Sequence, residues 1–180
     1  MKRFVVIFAL IISASIIFAQ GNDENAVLTK KEKRNAELEK EFQLTKSMLE
    51  NKDFVLETDY LQDRYGNRVL VNSTINFVSV DSTEAIIQIG SNFRIGPNGV
   101  GGVTAKGRIN KWELTEDLKR KAFTLRMNVM TAIGIYDLFI NISAYGRGTA
   151  TLTGMRSGRL TFDGELVPWE KSSVYVGQHL

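Results

Sequence analysis

The feature that most constrains this chain is an alternation of apolar and polar residues that begins at Asp53 and continues to Val167. A period of two places successive side chains on opposite faces of a β-strand, so each segment has one dry face. The alternating runs number about eight and lie at hairpin spacing, which favours antiparallel neighbours. The sequence therefore predicts an all-β domain over residues 52–168, built as an antiparallel meander.

Two architectures fit this pattern. The first expectation is a small barrel of about eight strands, similar to a lipocalin only by analogy, and the second is a two-sheet sandwich. A change of parity near Asn110 and Lys111 predicts a β-bulge at that point. In the first strand, the alternation predicts four inward-facing residues: Phe54, Leu56, Thr58 and Tyr60.

A helix is predicted over residues 29–51, before the strands. Four residues recur at steps of four, three and four, which aligns them on one helical face: Leu38, Phe42, Thr45 and Leu49. The stripe is short for a coiled coil, and the mixed charges around it do not favour an anionic membrane surface. We therefore expect one amphipathic helix that packs on the β domain.

The first 20 residues are typical of a secretory signal peptide. Lys2 and Arg3 precede an apolar run from Phe4 to Phe18, and small or polar residues follow it. A membrane anchor needs about 20 apolar residues to span a bilayer, more than this run provides. We expect cleavage and export to the periplasm or outside the cell, with membrane contact only through the signal peptide. Residues 21–28 are then a mobile linker, and residues 169–180 a C-terminal tail.

Composition limits the chemistry. Without Lys2 and Arg3 the formal charge of +3 falls to about +1, so no overall field attracts nucleic acid, and we expect none as a partner. The chain has no cysteine and one histidine, His179, so it cannot supply a thiol nucleophile or a multi-histidine metal site. We predict no catalytic residue, metal or cofactor. Glu57 and Asp59 leave a carboxylate-based hydrolase as a minor alternative.

A glycine-rich segment over residues 90–102 interrupts the alternation. It holds five glycines in thirteen residues and is a candidate loop for a ligand or partner, with Phe93, Arg94, Ile95, Gly96 and Gly99 as its candidate residues. A phosphate cradle is disfavoured because the Lys-Ser/Thr pair of a P-loop is missing and a strand follows instead of a helix. A purely structural connection remains open.

Several stretches of the chain resemble the domain-of-unknown-function family 4251. They are Lys52–Glu57, Asp63–Val69, Val71–Thr74, Gln88–Asn92 and, above all, Ile95–Thr104. The resemblance extends over residues 30–180 and implies an exported, mostly β protein from Bacteroidota. It implies no activity, because the family brings no assigned chemistry or catalytic residues.

Two functions remain open from the sequence. The first is a non-enzymatic binding module that holds a small apolar or amphipathic ligand among interior residues, with Met127, Tyr136, Leu138 and Phe162 as candidates. The small residues Ala105, Ala144, Ala150 and Gly164 would leave room for it. The second is a structural or protein-interaction module of the bacterial envelope with a filled core. Its partner is an envelope protein or glycan, and its contact surface is the loop from Phe93 to Ile95 or the face of the helix. A basic patch that includes Lys106, Lys111 and Lys121 is a separate candidate surface for an anionic polysaccharide or a lipid head group.

Overall fold

The structure, a computed structural model, describes residues 29–91, 98–154 and 158–179. These residues form a helix α1 (Lys30–Asn51), nine β-strands and a short 3₁₀ helix (Trp169–Lys171). The strands are β1 (Asp53–Gln62), β2 (Arg68–Leu70), β3 (Phe77–Asp81), β4 (Glu84–Ile89), β5 (Val103–Asp117), β6 (Ala122–Thr131), β7 (Gly134–Ser143), β8 (Arg147–Gly154) and β9 (Arg159–Val167). Within the described ranges, no helix is long and apolar enough to cross a membrane.

Eight of the strands close into an antiparallel barrel. They follow the order β1-β3-β4-β5-β6-β7-β8-β9, and β1 also pairs with β9, where Val55 lies opposite Val167. This closure confirms the predicted antiparallel barrel and distinguishes it from the sandwich. The ninth strand, β2, pairs with the end of β1 and was not predicted, since its three residues are all exposed and show no alternation.

Two β-bulges adjust which side chains face inward. The pairing of β5 with β6 shifts between Ile109 and Lys111, which confirms the bulge predicted there. A second shift, between Thr58 and Tyr60, was not predicted. After it, Leu61 lies opposite the interior residue Phe162 and is buried. Tyr60 instead faces outward, so its predicted inward position is wrong: the extra residue in the bulge reverses the alternation.

The barrel interior is filled with apolar side chains. Met127, Leu138 and Phe162 belong to one continuous core cluster, and each is at most 2% exposed. Three of the small residues expected to leave room, Ala105, Ala144 and Ala150, are buried in the same cluster. A Cβ on Gly164 would lie 1.9 Å from the backbone oxygen of Glu57, so this glycine permits close approach of β1 and β9 and leaves no space for a ligand.

Helix α1 covers one end of the barrel. Its predicted stripe is confirmed, with Phe42, Thr45 and Leu49 buried. The Phe42 ring stacks on Phe123 at the start of β6, with centroids 4.6 Å apart. The Thr45 hydroxyl donates a hydrogen bond of 3.0 Å to the backbone oxygen of Ala144, just after β7. Because these partners lie at the β5–β6 and β7–β8 turns, the helix occupies the end of the barrel that these turns form.

Candidate functional site

An apolar pocket of about 550 Å³ lies at the opposite end of the barrel. Its lining includes Ile89 at the end of β4 and Leu152 near the end of β8. These two strands are four apart in the closed order of eight, so they stand on opposite walls. The pocket therefore lies across the lumen of the barrel, between its walls. We call it the mouth pocket.

The lining of the mouth pocket is mainly apolar. Six large side chains contribute to it: Ile89, Ile133, Ile135, Tyr136, Leu152 and Leu160. Glycines at positions 134, 154 and 158 also line it, and Arg159 is the charged residue among the described lining residues. Pockets that hold small molecules in proteins are commonly about 300–1,000 Å³ and apolar with a few polar groups, and the mouth pocket is of this kind.

The tight turn between β6 and β7 holds part of the rim. The Thr131 hydroxyl donates to the backbone oxygen of Gly134 at 2.8 Å and accepts from the backbone N–H of Ile133 at 3.3 Å. Gly134 has a φ of +148°, a conformation that favours glycine. The turn leaves Ile133 and Ile135 about 40% exposed at the pocket rim.

Tyr136 is the predicted interior residue that reaches the mouth pocket. It lies opposite Gly154 in the β7–β8 pairing, and a Cβ on that glycine would be 3.1 Å from the Tyr136 ring. The absence of a side chain on Gly154 therefore lets the ring lie against β8. Met127, Leu138 and Phe162 lie deeper, in the filled core. Alternation identifies inward positions but does not give their depth along the barrel.

Arg159 gives the rim of the pocket a positive charge. Its side chain makes no ion pair or hydrogen bond with the part of the chain that the structure describes. Neighbouring carboxylates are engaged elsewhere: Asp137 accepts from the side chain of Asn128 at 2.8 Å, and Asp163 pairs with two other arginines at 2.7 and 3.0 Å. Arg159 was not predicted from the sequence, because an arginine at a strand end carries no signal of its own.

A second concavity of about 620 Å³ lies beside the mouth pocket. Ile89 lines the mouth pocket, and the next residue, Gly90, lines the second concavity. The apolar residues of the second concavity are Leu61, Val69, Leu70, Val71 and Ile75. The strand β2, which alternation did not predict, thus contributes apolar surface next to the mouth pocket.

The glycine-rich segment is only partly described. Phe93, Arg94, Ile95 and Gly96 lie outside the described residues. Gly99 lies in an exposed turn with a φ of +74°. The buried side chain of Asn98 holds this turn, since its oxygen accepts from the backbone N–H groups of residues 100 and 102 at 3.1 and 2.9 Å. The described part therefore shows a structural role for the turn that leads into β5.

The other predicted chemical groups lie apart from the mouth pocket. Glu57 accepts hydrogen bonds from Ser172 and Ser173 of the C-terminal tail, at 2.7 and 2.9 Å. Asp59 pairs with Arg147 at 2.8 Å. These two carboxylates of β1 are thus held in separate contacts. Among residues 29–91, 98–154 and 158–179, no group of three acidic, histidine or cysteine side chains is placed to hold a metal ion.

Most of the predicted basic surface is neutralised by carboxylates. Lys106 pairs with Glu84 at 2.9 Å and Lys111 pairs with Glu113 at 3.0 Å. Lys121 pairs with Glu39 of α1 at 2.7 Å. Exposed pairs of this kind reduce the local positive potential that an anionic glycan would require.

An eight-stranded antiparallel barrel with a helix over one end and an apolar pocket at the other defines a class of small β-barrels with a mouth pocket. A family model described as a domain of unknown function, DUF4251, matches residues 36–166, and the chain belongs to this family. The chain is also similar to the crystal structure of a DUF4251 family protein from Bacteroides eggerthii, with 26% identity and a TM-score of 0.62. That match covers 73% of this chain and 90% of the other. No curated protein matches the chain.

Proposed function

We propose that the chain is an exported, non-enzymatic protein of the bacterial envelope that binds one small apolar or amphipathic molecule in the mouth pocket. The observation that carries this proposal is the apolar pocket of about 550 Å³ at the barrel end opposite α1. The typical signal-peptide pattern of the first 20 residues supports export, and the similar family protein from Bacteroides eggerthii supports a bacterial envelope.

The filled core restricts where the ligand binds. Leu125, Ile140 and Phe162 are fully buried and pack in one cluster in the barrel. Opening a cavity among them would forfeit close-packed contacts, which is costly in a protein core. The ligand therefore enters only the mouth, where Ile133 and Ile135 are already partly exposed to solvent.

Native mass spectrometry of the mature chain, purified from a bacterial periplasm without detergent, tests this proposal. We expect an adduct of a few hundred daltons that disappears on denaturation. The variant Gly158→Phe should lose at least nine-tenths of the adduct, because Gly158 lines the pocket and a Cβ there meets nothing within 4 Å. Leu118→Phe, at an exposed position in the turn after β5, is the matched control and should keep the adduct.

A bare polypeptide mass for the wild-type chain, or an equal adduct on Gly158→Phe, would contradict binding in the mouth pocket. The first result would favour the second candidate function, a structural or protein-interaction module. One observation supports that alternative: Tyr65 and Leu70, in and near β2, are large apolar side chains that are each 74% exposed and so accessible to an envelope protein.

A further inference from the structure

Among the residues that the structure describes, the mouth pocket combines apolar walls with one charged lining residue, the cation Arg159. We infer that its ligand is an amphipathic anion, with an apolar body between Ile89 and Leu152 and an acidic head group bound by Arg159. This inference rests on the proposed function and names the chemical class of the ligand.

The walls determine the body of the ligand. The side chains that face each other across the lumen, from β4 and from β8 and β9, are aliphatic: Ile89, Leu152 and Leu160. A polar group placed between them would lose its hydrogen bonds to water without gaining a partner. An alkyl chain or a fused hydrocarbon ring system gains free energy from the same environment.

Arg159 determines the charge of the head group. The two arginines that contact Asp163 of β9 have carboxylate partners, since Arg68 pairs with Asp163 at 2.7 Å and Arg147 pairs with Asp59 at 2.8 Å. Arg159 has no such partner in the described chain. A guanidinium presents paired donors that match a carboxylate, phosphate or sulfonate, so a ligand anion would supply the missing partner.

A cationic ligand finds no counter-ion in the same lining. The pocket is lined by no aspartate or glutamate among the described residues. Arg159 lies in the outward-facing cross-strand row, next to Thr153 and then Asp137, so it meets the head group at the outer rim and not in the lumen. The Asp137 carboxylate in this row accepts a hydrogen bond of 2.8 Å from Asn128. The polar groups available to a ligand therefore favour negative charge.

Tyr136 supplies a second donor to the head group. Its ring lines the pocket, and its hydroxyl lies 3.8 Å from where a Cβ on Gly134 would stand, on the rim side of the ring. This hydroxyl has no hydrogen-bond partner within the described residues, so it is available to an oxygen of the ligand.

Three probes with a ten-carbon chain test the inference with the mature full-length chain: decanoate and decyltrimethylammonium, each below its micelle concentration, and 1-decanol below its solubility limit. We expect decanoate to bind at least tenfold more tightly than the other two by isothermal titration calorimetry. Arg159→Gln should lower decanoate affinity about tenfold and leave decanol affinity unchanged. Arg108→Gln is the matched control, because Arg108 is exposed, has no ion pair in the described chain and does not line the pocket.

The outcomes separate this inference from the proposed function. Equal affinities for decanoate and decanol, or an unchanged decanoate affinity in Arg159→Gln, would overturn the inference that the ligand is an anion. Binding in the mouth pocket would still stand if Gly158→Phe abolished the binding of these probes. Binding of no probe to the wild-type chain would overturn the anionic inference, and together with a bare mass in native spectrometry it would overturn the proposed function too.

Discussion

Asp63 shows how one carboxylate fixes the turn between β1 and β2. One of its oxygens accepts from the backbone N–H groups of Tyr65 and Asn67, at 2.8 and 2.9 Å. The other accepts from the side-chain amide of Asn67 at 2.7 Å. The hydrogen bond from the Asn67 side chain, followed by those from the backbone, lowers the pKa of Asp63 below its ordinary value, because all of them favour the charged carboxylate.

This shift predicts a pH-dependent contribution to stability. Since the pKa is lower in the folded chain than in the unfolded chain, the contribution is fully present above the unfolded pKa of about 3.9. It is lost as the pH falls through the lower, folded-state pKa. We expect Asp63→Ala to melt below the wild-type chain at pH 7, and the difference to narrow below pH 4, as measured by circular dichroism.

Asn67→Ala provides the control for the cause of the shift. Removing the side-chain donor should move the NMR titration midpoint of the Asp63 carboxyl upward. A difference in melting temperature between Asp63→Ala and wild type that stays constant from pH 7 to pH 2 would contradict this account.

At the scale of elements, α1 belongs to the core of the molecule. Phe42 and Leu49 are at most 1% exposed, whereas Leu44 on the same helix is 50% exposed. We expect Phe42→Ala to lower the free energy of unfolding by about 3–5 kcal/mol, because it leaves a cavity against Phe123. Leu44→Ala, the matched control, should change it by less than about 0.5 kcal/mol.

Guanidinium denaturation of the two variants measures both values. A loss below about 1 kcal/mol for Phe42→Ala would show that the helix contributes little to the barrel, contrary to its burial.

Ion pairs orient α1 beside these apolar contacts. Lys46 lies 2.7 Å from Glu116, and Lys121 lies 2.7 Å from Glu39. The hydrogen bond to Glu116 raises the pKa of Lys46, and the hydrogen bond from Lys121 lowers the pKa of Glu39. Because these groups are exposed to solvent that screens them, the buried stripe contributes more of the docking free energy.

The whole molecule also depends on its C-terminal tail, which lies along the outside of the barrel. The buried Gln88 side chain accepts from the backbone N–H of Gly177 at 2.8 Å and donates to the backbone oxygen of Tyr175 at 2.8 Å. The hydroxyl of Thr104 in β5 donates to the same amide oxygen at 2.9 Å. The tail thus completes a polar network that joins it to β4 and β5.

A chain that ends at Lys171 should therefore melt at a lower temperature than the full chain. It loses both tail bonds to Gln88, together worth about 2 kcal/mol, and also the bonds from Ser172 and Ser173 to Glu57, so we expect a fall of at least roughly 5 °C for a domain of this size. Differential scanning calorimetry measures the change. A chain that ends at Gln178 keeps both bonds and is the control, and equal melting of the two shortened chains would contradict the role of the tail.

The sequence predicted the barrel and the helix stripe because burial imposes a period on each. The bulge between Ile109 and Lys111 was predicted because the apolar residues change there from one set of alternate positions to the other. The bulge before Tyr60 was missed because Tyr60 and Leu61 are both apolar, so the alternation does not show which of them faces inward. The mouth pocket depends on how far each strand extends and on the turn at Gly134. Those are properties of the closed barrel and not of any single strand.

The pairing of β1 with β9 joins the two ends of the β domain into one seam. Pairing between strands so far apart in the chain forms slowly, because the long intervening loop must first be closed. Contacts between residues near in sequence cannot take the place of this pairing. Until Arg159–Val167 is available, one edge of β1 has no neighbour and the core is open on that side. The barrel therefore cannot finish folding while the chain is still being synthesised, because it closes only when the last strand has been added.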